Sequence, residues 1–144
     1  MSVSSKQLAE WGFAVPDGDT VARRIPPAVV KPTEKRPAIR IPGAPLPNKT
    51  ERRFEQYALA RWEPCWLSYE PMTLRLPSGT RYTPDWFMCV KDAFYVVEVK
   101  GPHIHNSRSL HAWKEAKVAF PYWRFVFAQW SGGEWLLAGD LPDF

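Results

Sequence analysis

One stretch, from Arg81 to Gly101, sets the tightest limits on the fold. It reads Arg81-Tyr82-Thr83-Pro84-Asp85-Trp86-Phe87 and then Ala93-Phe94-Tyr95-Val96-Val97-Glu98-Val99-Lys100-Gly101. Two runs rich in aromatic and β-branched residues, separated by a tight turn at Lys91-Asp92, read as a pair of strands. Side chains alternate along a strand, so Phe94, Val96, Glu98 and Lys100 share one face, and Tyr95, Val97 and Val99 share the other. An acid and a lysine therefore end a mostly apolar row, while another acid, Asp85, stands near the start of the preceding strand.

Buried charge costs several kcal/mol unless it is paired or bound to an ion. Asp85 and Glu98 brought together across the hairpin would repel. A hard divalent cation such as Mg2+, which prefers carboxylate, carbonyl and water oxygens, would relieve that repulsion. Lys100 would then stand beside the metal, able to hold an anionic group or orient a water. A surface ion pair on an edge strand is the plainer account of the same residues.

A chain of 144 residues fits one domain of ordinary size. The net charge of +4 and the pI near 9.2 favour an anionic partner, nucleic acid first. Cys65 and Cys89 lack metal-type spacing and are too few for a disulfide framework, which suits a reducing cytoplasm. The first residues lack the apolar run of a signal peptide, and no stretch is long enough to span a bilayer, so a soluble, cytoplasmic protein without membrane contact is expected.

Residues 1–47 hold eight of the fifteen prolines, with Lys31, Lys35, Arg36 and Arg40 among the later ones. Such a density of proline forbids helix and sheet interiors and predicts an extended or partly disordered arm. Seven Lys and Arg against four Asp and Glu give this arm +3 of the net charge. It reads either as a basic tether for nucleic acid or a partner subunit, or as a linker wrapped on the domain through residues such as Ile39 and Ile41. Ser4 or Ser5 can cap a short helix through Trp11, with Phe13 and Val15 available for packing.

The globular part, residues 48–144, starts with a helix capped by Asn48 or Thr50 and running to about Trp62. Glu51 lies in its first turn, where the helix dipole favours a carboxylate, so a capping role stands beside a catalytic one. Glu55, a turn later, is the substitute acid. Trp66 to Tyr69 predicts a strand or extended entry, and Met72, Leu74 and Leu76 a half-buried strand ending at Ser78-Gly79. Arg81 to Val90 reads as one further strand, with Pro84 at its start, an edge or a bulge that aims Asp85. His103 and His105 lack a third ligand and read as exposed loop residues.

Ser107 or Ser109 begins a second helix with the stripe Leu110, Trp113, Ala116, Lys117 and Phe120. Arg108, Lys114 and Lys117 on its flanks are candidate phosphate contacts, as are Arg81 and Lys49. Trp123 to Ala128 and Glu134 to Leu137 complete a coarse order of helix, three strands, helix, strand and short strand. A strand, helix and strand in one sheet imply a crossover, hence an α/β fold of the mixed α+β kind, its central mixed sheet flanked by helices.

A helix-borne Glu51, then Pro84-Asp85, then Glu98-Val99-Lys100 resembles the signature of the PD-(D/E)XK nuclease superfamily. More narrowly, Tyr82-Thr83-Pro84-Asp85-Trp86 and Glu98-Val99-Lys100-Gly101 are similar to phage endonuclease I-type Holliday-junction resolvases and related small phage and prophage nucleases. The resemblance covers roughly residues 48–130. It implies a restriction-endonuclease-like core and Mg2+- or Mn2+-dependent hydrolysis of DNA phosphodiesters, with branched or four-way-junction DNA as substrate and a homodimer as a possible assembly. On that reading Asp85, Glu98 and the Val99 carbonyl ligate the metal, Glu51 holds a second ion, and Lys100 positions the attacking water; the location is the host cytoplasm if the chain is phage-encoded. Trp86 where Phe is usual, and Pro102-His103 after Gly101, depart from the pattern. A non-catalytic nucleic-acid-binding or virion-associated protein on the same fold, or a restriction-like or single-strand-directed nuclease, is the alternative.

Overall fold

The computed structural model describes residues 23–25, 42–43, 45–102 and 108–142. The short helix expected from Ser4 or Ser5 to Trp11, together with Phe13, Val15, Ile39, Ile41, His103, His105 and Ser107, lies outside the described residues. No helix among the described residues is long and apolar enough to cross a membrane.

Helix α1 (Lys49–Arg61) forms because both of its ends are specified locally. Asn48 Oδ1 accepts the Glu51 N–H at 3.0 Å while Glu51 Oε2 accepts the Asn48 N–H at 2.7 Å, a reciprocal cap that satisfies two otherwise orphaned donors. Phe54, Tyr57 and Ala58, at spacings of three and four, form its buried stripe, and Trp62 closes the last turn through its N–H to the Ala58 carbonyl.

Strand β1 (Arg23–Ile25) comes from the segment read as an arm. Then follow β2 (Trp66–Tyr69), β3 (Leu74–Arg75), β4 (Arg81–Tyr82), β5 (Trp86–Val90) and β6 (Ala93–Lys100). Helix α2 (Arg108–Ala119), β7 (Arg124–Ser131) and β8 (Glu134–Gly139) complete the chain. The order in the main sheet is β1-β8-β7-β6-β5-β2, and all neighbours are antiparallel except β6 and β7, which the α2 crossover joins in parallel. The mixed sheet expected from the strand-helix-strand pattern is present.

Three expectations need correction. The run from Arg81 to Val90 is two strands in two sheets: β4 pairs with β3 in a separate ribbon, and β5 pairs with β2 and β6. Pro84 has no N–H to give to a ladder, and the break falls across Thr83-Pro84-Asp85. Five strands, not three, therefore separate the helices, and the final strand is six residues long. The arm also supplies an edge strand, with Arg24 opposite Leu136 on β8.

The alternation read along β6 assigns its side chains correctly. Tyr95, Val97 and Val99 face a core built with Phe54, Tyr57 and Ala58 of α1 and with Trp86, Trp135 and Leu137. Val96 faces the opposite core with Leu110, Trp113 and Ala116 of α2, Phe125 and Phe127 of β7, and Leu74 and Tyr82 of the ribbon. One helix thus covers each face, and each fully buried large side chain contributes about 1.5–3 kcal/mol. The C-terminal end of β6, where the polar residues begin, lies between the starts of both helices.

Candidate metal centre

Glu98 is 2% exposed, near the end of an apolar strand, and its carboxylate is met by donors. Oε2 accepts the Tyr82 hydroxyl at 2.7 Å, and Oε1 lies 2.6 Å from Lys100 Nζ. The Ser109 hydroxyl, from the first turn of α2, adds a further hydrogen bond. Burial raises the Glu98 pKa, and Lys100, Tyr82 and Ser109 oppose that rise by favouring the ionised form.

Asp85 sits in the break between β4 and β5 and is 9% exposed. Its Oδ2 accepts the Val99 N–H at 2.7 Å, so a side-chain oxygen takes this β6 amide next to the break. Its main-chain carbonyl still accepts from the Glu70 N–H at 2.9 Å, so the backbone stays anchored to the β2 side while the side chain reaches β6. Burial, then the nearby charge of Glu98, pushes the Asp85 pKa up to about 8 despite the Val99 amide and Lys100. Two carboxylates in one dry corner cannot both ionise cheaply.

An extended residue points its N–H and C=O to the same edge of the strand, so the Val99 carbonyl also faces the gap at Pro84. Asp85, Glu98 and this carbonyl form an oxygen donor set that fits a hard cation retaining part of its water shell. Among the described residues, no three His, Cys, Asp or Glu side chains stand close enough to hold an ion by themselves. Main-chain and water oxygens would have to complete the shell.

Glu51 approaches from the α1 side. It lines a groove of about 380 Å³ with Asn48, Lys49, Thr50, Val99 and Gly101, and its charge reaches Asp85. Its Oε2, however, accepts both the Asn48 N–H and the Tyr69 hydroxyl, the latter at 2.8 Å. The capping role is therefore present. Glu55 does not line this groove.

Of the expected phosphate contacts, Lys49 is on the rim of the groove, and Arg108 is exposed beside Ser109 at the start of α2. Arg81 is exposed next to Tyr82. Lys114 is half-buried further along α2. Lys117 lies at the far end of that helix, 3.6 Å from Asp140 and over the Trp113 ring, and is not brought to the site.

Sequence reasoning gave Tyr69 and Tyr82 no contact with an acid, and gave Ser109 only the start of the second helix, which begins one residue earlier, at Arg108. The available signal was chemical: a tyrosine buried in an apolar strand needs a partner for its hydroxyl, and here each such tyrosine finds a carboxylate. No protein-family model, curated protein or solved structure matches this chain. Its function has to be argued from these residues.

Proposed function

We propose that the chain is a metal-dependent DNA endonuclease with a restriction-endonuclease-like core, hydrolysing phosphodiester bonds with a preference for branched or four-way-junction DNA. One observation carries the reading: Asp85 is bonded to the amide of Val99, the residue between Glu98 and Lys100, which gathers two buried acids and a lysine at one strand end. Asp85, Glu98 and the Val99 carbonyl would hold Mg2+ or Mn2+. The bound ion supplies a lowered pKa for water and neutralises charge building on the phosphoryl group.

Lys100, whose side chain is 24% exposed, offers donors to a phosphate oxygen and to the attacking water. Tyr82 and Ser109 hold the Glu98 carboxylate in a fixed orientation. The attacking water releases a proton to solvent as its oxygen bonds to phosphorus, the bond from phosphorus to the leaving oxygen breaks, and that oxygen takes up a proton from solvent. Glu51 borders the groove and fixes the start of α1 through its cap.

A non-catalytic nucleic-acid binder on the same fold is the second reading, favoured by the commitment of Glu51 Oε2 to its cap and to Tyr69. Plasmid, duplex, single-strand and four-way-junction cleavage with Mg2+ separates these readings. Asp85→Ala and Lys100→Ala should each lower cleavage by about 10³-fold or more, with the junction cut fastest. Full activity in both variants overturns the site; DNA binding by the wild type without cleavage of any substrate establishes the binder.

A further inference from the structure

Along α1 a second groove of about 490 Å³ is lined by Pro47, Asn48, Lys49, Arg52, Arg53 and Gln56. Asn48 and Lys49 also line the groove that contains Glu51 and Val99, so the two grooves adjoin at the helix start. Lys49, Arg52, Arg53 and Gln56 fall at i, i+3, i+4 and i+7, one face of the helix, and span about 10 Å at roughly 1.5 Å per residue. That is close to three base steps at about 3.4 Å each along a strand.

Two of these cations are held in place by their own chain. Arg52 Nε donates to the Pro47 carbonyl at 3.0 Å, which fixes the guanidinium at the groove mouth. The Arg53 guanidinium lies 4.3 Å from the Trp130 ring centre, a stacking that steadies its plane and leaves its edge donors for a ligand. Among the described residues, no acid forms an ion pair with Lys49, Arg52 or Arg53. Pro47 is the one apolar residue in the lining, which holds no aromatic or branched aliphatic side chain to anchor a protein partner.

We propose that this groove is a nucleic-acid backbone track, holding phosphates of the strand that leads away from the metal centre; the inference rests on the nuclease reading for its choice of DNA. Pre-positioned guanidiniums along a groove that adjoins the site suit repeated phosphates, which the fork of arginine donors matches in geometry.

The test is fluorescence anisotropy of a labelled four-way junction and a labelled duplex with the full chain in EDTA, between 50 and 200 mM salt as the usual range for such slopes. The variants are Arg52→Gln/Arg53→Gln together, Gln56→Glu alone, and Arg75→Gln, an exposed arginine on β3, as control. The double variant should bind at least about 10-fold more weakly and lower the salt slope by about two. Gln56→Glu, which removes no packing, should weaken binding about 3-fold or more through charge repulsion, while Arg75→Gln matches the wild type. Wild-type affinity and slope in both groove variants overturn the track, as does binding of poly-glutamate in preference to DNA. Binding through the groove without Mg2+-dependent cleavage supports the track and removes the nuclease reading; cleavage with groove variants that bind normally removes the track alone.

Discussion

Two buried or nearly buried carboxylates on opposite faces of the sheet each accept a tyrosine hydroxyl, yet they do different work. Glu51 Oε2, facing α1, accepts Tyr69 and the Asn48 amide. Its remaining need is met by a helix start, where backbone donors and the helix dipole favour negative charge. Glu98, facing α2, accepts Tyr82 and Ser109 but sits in an apolar strand with another acid nearby, and its charge is met by Lys100. The difference lies in the source of compensation: fixed backbone dipoles make an acid structural, whereas compensation by a movable cation leaves room for a second cation.

The contrast predicts unequal losses. Glu98→Gln should lower Mg2+-dependent cleavage by about 10³-fold and cost about 1–3 kcal/mol of stability, because the amide nitrogen faces donors that a carboxylate oxygen accepted. Glu51→Gln should retain cleavage within about 10-fold, since glutamine also closes a capping box. Equal losses in the two variants would erase the distinction.

A smaller effect is expected at the tyrosine that each acid accepts. Tyr82→Phe should reduce cleavage by about 10- to 100-fold by freeing Glu98 to reorient. Tyr69→Phe should instead cost about 1 kcal/mol of stability in denaturant unfolding, with cleavage nearly intact. Interchanged phenotypes would assign the tyrosines the other way round.

A separate effect is read from pH. In the ion-free protein, folded Asp85 keeps its proton until about pH 8, whereas an unfolded aspartate loses it near the usual carboxylate pKa of about 4. Between those values the folded state binds more protons, so stability falls as pH rises. Melting in EDTA from pH 5 to pH 9 should show this decline, and Asp85→Asn or saturating Mg2+ should flatten it. A decline that persists in Asp85→Asn would assign it to another group.

The features legible in the sequence were those written into neighbouring residues. Asn48 and Glu51 announce a capping box three residues apart, and the alternation from Phe94 to Lys100 fixes which side chains meet each core. The crossover through α2 follows from the strand-helix-strand order. The break at Pro84 was partly visible as a missing donor, but its consequence, the transfer of Arg81-Tyr82 into a separate ribbon, depends on pairing with Leu74-Arg75. Tyr82 meets Glu98 only because that ribbon folds onto the α2 face. The edge strand Arg23–Ile25 is three residues in a proline-rich segment, too short for periodicity to reveal. The acids and lysine of the candidate site could thus be named in advance, and the groups that orient them could not.

The most direct test of the central claim is calorimetric titration of Mn2+ into the wild type, Asp85→Asn, Glu98→Gln and Glu51→Gln proteins without DNA. Binding by the wild type and Glu51→Gln, weakened at least about 10-fold in Asp85→Asn and Glu98→Gln, is the predicted result. Equal binding in all four proteins, or none in a wild type that still cleaves DNA in EDTA, would contradict it.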